Sequence, residues 1–254
     1  MTKAAIQITS LYSQGSCSQP LQNIHLTAYS GQVSVLYSPD KTSSRVLKAI
    51  SGTLRPCSGS VRIHGTEAVS LDVHAIRPLG LISNPDPFGS DQIFESLSTE
   101  ENLLSPSTNQ HSLGGGLSLA EIYEICPLLY ALRKLSVAQL SPCERSILGL
   151  VRLLRTGADI VLLDHVSAGL QPLVQQALGR LIRELKKRSY TVLMAEESAI
   201  FSKDLADQRV NLAAGQLISS QHAAAPLNDI TPSQTNLLGG LHLTRGHNTH
   251  CDSN

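Results

Sequence analysis

The chain has 254 residues, 41% of them apolar and 16% charged, with 20 Lys+Arg balanced by 20 Asp+Glu. That length holds one large domain or two small ones, and the apolar content rules out wholesale disorder. The balanced charge gives a basic nucleic-acid binder no support, and no apolar run approaches the roughly 18 residues that span a bilayer. The first residues, MTKAAIQITSLYSQGS, alternate instead of forming an apolar leader core, so a cytoplasmic protein is expected. Five cysteines without C-x-x-C spacing (Cys17, Cys57, Cys126, Cys143, Cys251) read as free thiols.

In chain order, Ala4, Ile6, Ile8 and Leu11 share one face and predict a strand, followed by a polar loop over 13–20. Leu21, Ile24, Leu26 and Ala28 predict a second strand, and the β-branched run at 33–36 a third, buried on both faces. Residues 37–42 form a loop by composition; a helix over 43–50 then stops at Gly52, and 56–65 reads as a turn and strand. Residues 83–116 are loop-rich, and 117–154 turn helical. A strand at 158–164 ends on Asp164. The stripe Leu173, Val174, Ala177, Leu178, Leu181, Ile182 and Leu185 predicts a long amphipathic helix, and 191–194 a last strand. From about 221 the periodicity is lost, and 221–254 reads as a disordered tail. The alternation of strand and helix predicts an α/β fold with a parallel sheet, with ligands at the carboxyl ends of the strands. That puts Leu36-Tyr37 and Leu163-Asp164 on one rim.

Several segments carry a resemblance when taken together. Residues 21–26 (LQNIHL) precede Gly31-Gln32-Val33; residues 47–52 (LKAISG) are followed by Leu54-Arg55-Pro56 and by 58–61 (SGSV). Further on come 99–103 (TEENL), 122–129 (IYEICPLL), 161–164 (VLLD) with 167–172 (SAGLQP), and 191–196 (TVLMAE). In this order and spacing, over about 4–218, the chain resembles the ATP-binding subunit of ABC transporters, most like that of the branched-chain amino acid importers. The resemblance implies a P-loop NTPase (RecA-like) parallel sheet core, a small antiparallel β portion and a helical subdomain near 95–155, all within a domain at 4–220. It also implies ATP and Mg as ligands, a dimer with a second such subunit, and a membrane subunit as partner. The expected location is peripheral, on the inner face of the membrane.

The motif positions depart from that pattern. A phosphate loop G-x-x-x-x-G-K-S/T points backbone N–H groups at phosphate and supplies a Lys for the β/γ oxygens. Aligned without gaps, residues 37–44 (YSPDKTSS) put Tyr37 and Thr42 at the glycines, Ser43 at the Lys and Ser44 at the hydroxyl that contacts Mg. Lys41 and Arg45 are the cations left to reach phosphate. Losing the Lys and both glycines removes on the order of 4–6 kcal/mol of nucleotide binding, or about 10³–10⁴ in affinity.

By the same resemblance, Asp164 holds Mg and the catalytic glutamate becomes His165. That imidazole reads either as a general base or as a replaced residue without a role. Val166 replaces the proline that follows. The signature L-S-G-G-E becomes residues 140–144 (LSPCE): Ser141 and Glu144 remain, and Pro142 has no N–H to offer a γ-phosphate. The glutamine-loop position falls at Asn84, the switch position at Glu197, and the dimer loop on Ser167 and Gly169. Tyr12 either stacks on adenine or is an ordinary strand-end tyrosine. Three functions stay open: a degenerate transporter subunit, an active ATPase using Lys41 or Arg45 with His165, and an interaction protein derived from the fold. In the tail, His247, His250 and Cys251 lack a fourth metal ligand, and a solvated tail is the reading there.

Overall fold

The computed structural model describes residues 3–14, 20–84, 93–105, 116–197 and 199–222. The tail from 223, with its His/Cys cluster, lies outside the described residues, as do 85–92 and 106–115 of the loop-rich middle.

The strands form two sheets. The first is antiparallel, in the order β2 (Ile24–Tyr29), β1 (Ala4–Tyr12), β4 (Ser58–Ile63), β5 (Thr66–Glu67). β1 is central: Ile6 lies opposite Ala28 on one side and Ile63 on the other. Its register slips after Ile8, where Ser10 takes a left-handed φ of 46°. Gly59 faces that kink; a Cβ there would collide with the Ser10 carbonyl, so only glycine lets β4 approach. The kink ends β1 at Tyr12, opposite Ser58.

The second sheet has the order β10 (Gln216–His222), β9 (Gln208–Ala213), β3 (Val33–Tyr37), β8 (Thr191–Glu196), β7 (Ile160–Asp164), β6 (Leu81–Asn84). β9, β3, β8, β7 and β6 run parallel, and β10 closes the edge antiparallel. Strands buried on both faces need apolar side chains at every position. In β7, Val161 and Leu163 enter one core while Ile160 and Leu162 enter the other. The first core is filled by α6 (Pro142–Leu154) and α7 (Pro172–Lys187); the second by α1 (Thr42–Ile50) and the inner face of the antiparallel sheet. Leu178, Leu181, Ile182 and Leu185 of α7 are all buried, each contributing about 1.5–3 kcal/mol of apolar transfer.

The expected α/β architecture is present. The middle carries more structure than its composition indicates: β6 and α3 (Thr99–Leu104) lie within 81–104, and the short α2 (Val73–Ile76) precedes them. α3 is fixed by local chemistry. Ser98 caps it in a capping box with Glu101, and the buried Asn102 amide donates to the carbonyls of Phe94 and Ser98. α4 (Leu119–Ile125) opens with the same box, Ser118 with Glu121, and α5 (Pro127–Leu132) opens on a proline. A last short helix, α8 (Ala199–Ser202), follows β8. Among the described residues no helix is long and apolar enough to cross a membrane.

Candidate functional site

The sheet order puts β8 between β3 and β7, so the segments leaving Tyr37, Glu196 and Asp164 lie side by side on one rim. The segment after β3 enters α1 through Lys41, a non-glycine residue at φ 61°, ψ 16°. That left-handed conformation costs roughly 1–2 kcal/mol and holds only if neighbouring contacts enforce it. Those contacts are present. Asp40 Oδ1 accepts the N–H of Thr42 at 3.1 Å and its Oδ2 accepts the N–H of Ala214 at 2.6 Å. The N–H of Gly215 donates to Thr42 Oγ1 at 3.2 Å. The loop is thereby clamped to the turn between β9 and β10. Burial pushes the Asp40 carboxyl up, but the Thr42 and Ala214 donors outweigh it and hold it below its ordinary value.

Ser43, where the resemblance implies a phosphate-binding Lys, is 0% exposed. Its N–H donates to Ser38 Oγ at 2.9 Å, and Ser38 Oγ donates back to Ser43 Oγ at 2.9 Å. The first two amides of α1 are thus taken by Asp40 and Ser38, side chains of the loop itself. Ser44 and Asp164 are brought together: Ser44 Oγ donates to Asp164 Oδ2 at 2.6 Å. Asp164 Oδ1 is buried with no hydrogen-bond partner among the described residues, an arrangement that fits a magnesium contact. Arg45 is turned toward β1: its Nη2 donates to Ser13 Oγ at 3.0 Å and to the Gln14 carbonyl at 3.1 Å. That draws α1 to the chain just past Tyr12, whose ring is exposed.

His165 follows Asp164 at φ 48°, with its N–H on the Ala195 carbonyl at 2.9 Å and its Nε2 3.6 Å from Asp164 Oδ1. Ser167 is held by Glu196: the N–H of Ser167 donates to Oε1 at 3.3 Å and its Oγ to Oε2 at 2.5 Å. Glu196 is 2% exposed, and its main-chain carbonyl accepts the N–H of Ser38 at 3.2 Å. It therefore links the loops after β3 and β7. Burial is the main reason its carboxyl is pushed up to about 7; the Ser167 bonds oppose this, and the charges of Asp164 and Glu197 add to it. Gly169 turns the 165–170 loop at φ 70°.

The segment expected to be the signature forms a capping box on α6. Glu144 Oε2 accepts both the N–H and Oγ of Ser141 at 2.8 Å, and Ser141 Oγ accepts the N–H of Glu144 at 3.3 Å. Cys143 faces a small apolar hollow shared with Val166 and Leu170, so this helix start packs on the 165–170 loop. No hydrogen bond among the described residues joins Ser141 or Glu144 to the loop at 38–45. Asn84 ends β6. Asp40 and Glu196 are the residues that the motif positions did not single out. Their signals were a capping-type acid two residues before a helix and a lone acid closing an otherwise apolar strand, TVLMAE.

No family model matches the chain. It is 25% identical over 212 residues to the high-affinity branched-chain amino acid transport ATP-binding protein BraG of Pseudomonas aeruginosa, covering 83% of this chain and 90% of that protein. It is also 25% identical over 242 residues to the phosphonates import ATP-binding protein PhnC 1 of Ruegeria sp., covering 88% and 91%. Among solved structures, an ATP-binding cassette of an ABC transporter in its ADP conformation superposes with a TM-score of 0.72 at 17% identity, covering 87% of this chain and 92% of that one. The fold is that of the P-loop NTPase domain of ABC ATPases. At the coarse level, sequence and fold likeness support an ABC transporter ATP-binding subunit.

Proposed function

We propose that the chain is an ATP-binding-subunit-like protein of an importer-type ABC transporter, whose nucleotide site has decayed so that it binds ATP weakly and hydrolyses it slowly or not at all. The observation that carries this is Ser43: where the fold uses a lysine against phosphate, a fully buried serine is hydrogen-bonded to Ser38. Asp40 adds to it by placing a carboxylate, already ligated by two amides, in the turn that wraps a triphosphate. Pro142 removes an amide from the signature, the other half of such a site in a dimer. The hydrogen bond between Ser44 and Asp164 supports a remaining metal contact without a phosphate cradle.

The likeness to BraG supports the branched-chain amino acid branch, and equal identity to a phosphonate import protein leaves the cargo open. Exposed apolar side chains on the helical portion, Leu104 at 56% and Tyr130 at 50%, support docking to a membrane subunit on the inner face of the membrane. A second subunit of the same type completes the proposed assembly. The rival reading, an active ATPase, needs Lys41 or Arg45 on phosphate and His165 as base; the anchoring of Arg45 on Ser13 and Gln14 speaks against it.

The deciding experiment is a titration with a fluorescent ATP analogue and magnesium. No saturation in the micromolar range is expected, and micromolar affinity overturns the reading. Co-purification with a hydrophobic membrane subunit separates a transport role from that of a free interaction protein.

A further inference from the structure

A hollow of about 280 Å³ opens where β8, the 165–170 loop, α7 and α8 meet. That is at the small end for ligand pockets. Its walls include His165, Ser167, Gln175, Glu196, Glu197 and Phe201.

The hydrogen-bonding capacity of these walls is weighted toward acceptors. The two donors of Ser167, its N–H and Oγ–H, are both spent on Glu196. One N–H of the Gln175 amide donates to the Ser167 carbonyl at 3.3 Å, leaving its second N–H and its Oε1. His165 Nε2, 3.6 Å from Asp164 Oδ1, makes no hydrogen bond among the described residues. What the walls still offer is mostly acceptor: the carboxylates of Glu196 and Glu197 and the Gln175 carbonyl, beside one aromatic ring. Glu196 is 2% exposed, and neither it nor Glu197 forms an ion pair among the described residues. A buried carboxylate without a cation is a costly arrangement, and an ammonium group relieves it.

We infer that this hollow binds a small organic cation, a primary ammonium on a short apolar body, with the charge between Glu196 and Glu197 and the body against Phe201. The ammonium supplies donors and a positive charge to these two carboxylates, and the Phe201 ring suits either the alkyl chain or the cation itself. An anion meets two carboxylates and no free donor of Ser167. The inference goes beyond the nucleotide reading: it needs neither the loss nor the presence of ATP binding.

The full chain, isotopically labelled at pH 8, is titrated with n-butylamine, and separately with n-butanol and butyrate, while backbone and side-chain amide resonances are followed. Saturable shifts at Ser167, Ala168 and the Gln175 side chain are expected for butylamine, with a Kd of about 1 mM, and none for the alcohol or the acid. Added salt weakens the binding. Glu197→Gln, a change at an exposed side chain, raises the Kd about tenfold without altering the rest of the spectrum. Unsaturated shifts for the amine, equal shifts for butanol, or an unchanged Kd in Glu197→Gln overturns the inference. ATP-analogue affinity measured on the same sample reports on the nucleotide reading independently.

Discussion

The N–H of Ser43 points at Ser38 Oγ, 2.9 Å away and five residues earlier in the chain. A helix start that is free to hold phosphate has its first amides open. Here the loop has turned two of its own side chains, Ser38 and Asp40, into acceptors for those amides. A polar group this well satisfied is costly to release, because each freed amide must find a new partner.

That arrangement predicts a repair. Replacing Asp40 and Thr42 by Gly and Ser43 by Lys removes the carboxylate from the turn and restores the second motif glycine and the phosphate lysine. One charge-assisted bond is worth about 1.5–3 kcal/mol, so ATP-analogue affinity rises about 10- to 100-fold. A titration of the triple variant beside the wild type checks this; equal affinities mean that the loop is not what limits binding.

Glu196 predicts a pH dependence of stability. Its folded-state carboxyl is pushed up to about 7 from an ordinary value of 4.5, so the folded state holds the proton more tightly than the unfolded state. The stabilisation is fully present below about pH 4.5 and is lost as pH rises through about 7. Glu196→Gln removes the buried charge. Urea unfolding is expected to show this variant as the more stable protein at pH 8, by on the order of 2–4 kcal/mol, with the gap shrinking toward pH 5. A constant difference across that range contradicts the assignment.

His165 predicts a negative result. Its backbone is held by the Ala195 carbonyl and its ring sits against Asp164, so no proton relay to water is needed to explain its position. Any residual ATP turnover of the purified chain is expected to change less than twofold in His165→Ala. A loss of the 10²-fold or more that follows removal of a general base restores the rival reading.

Asn102 carries a structural prediction. It is fully buried, its amide group donates to the carbonyls of Phe94 and Ser98, and its carbonyl accepts the N–H of Phe94 at 2.8 Å. Asn102→Ala leaves those groups unpaired inside the helical portion and is expected to cost about 2–4 kcal/mol in a urea melt.

Long periodic elements were legible in the sequence. The stripe from Val174 to Leu185 lies on α7, and the apolar runs ending at Leu36 and Asp164 are β3 and β7, within two residues of the expected bounds. Elements with short or mixed patterns were not. β6 and α3 sit in a stretch whose Pro, Gly and Ser content reads as loop, although Ser98-x-x-Glu101 is a helix-start signal recurring at Ser118 and Ser141. β9 lies between the edge strand β10 and β3, and its pairing with β3 joins segments too far apart in the chain for any local window to contain.

By itself the sequence determined the order of strands and helices, since burial on two faces or on one stripe leaves a period in the residues. It also carries the expectation that Ser43, His165 and Pro142 stand at motif positions, which rests on identities in a register. Only the tertiary structure decided where the freed hydrogen-bonding groups went. Asp40 reaches Ala214 across 174 residues and Ser167 reaches Glu196 across 29, through contacts created when parallel strands bring their ends to a common rim. Local propensity carries no trace of such pairs, because their energy exists only once the chain between them has folded.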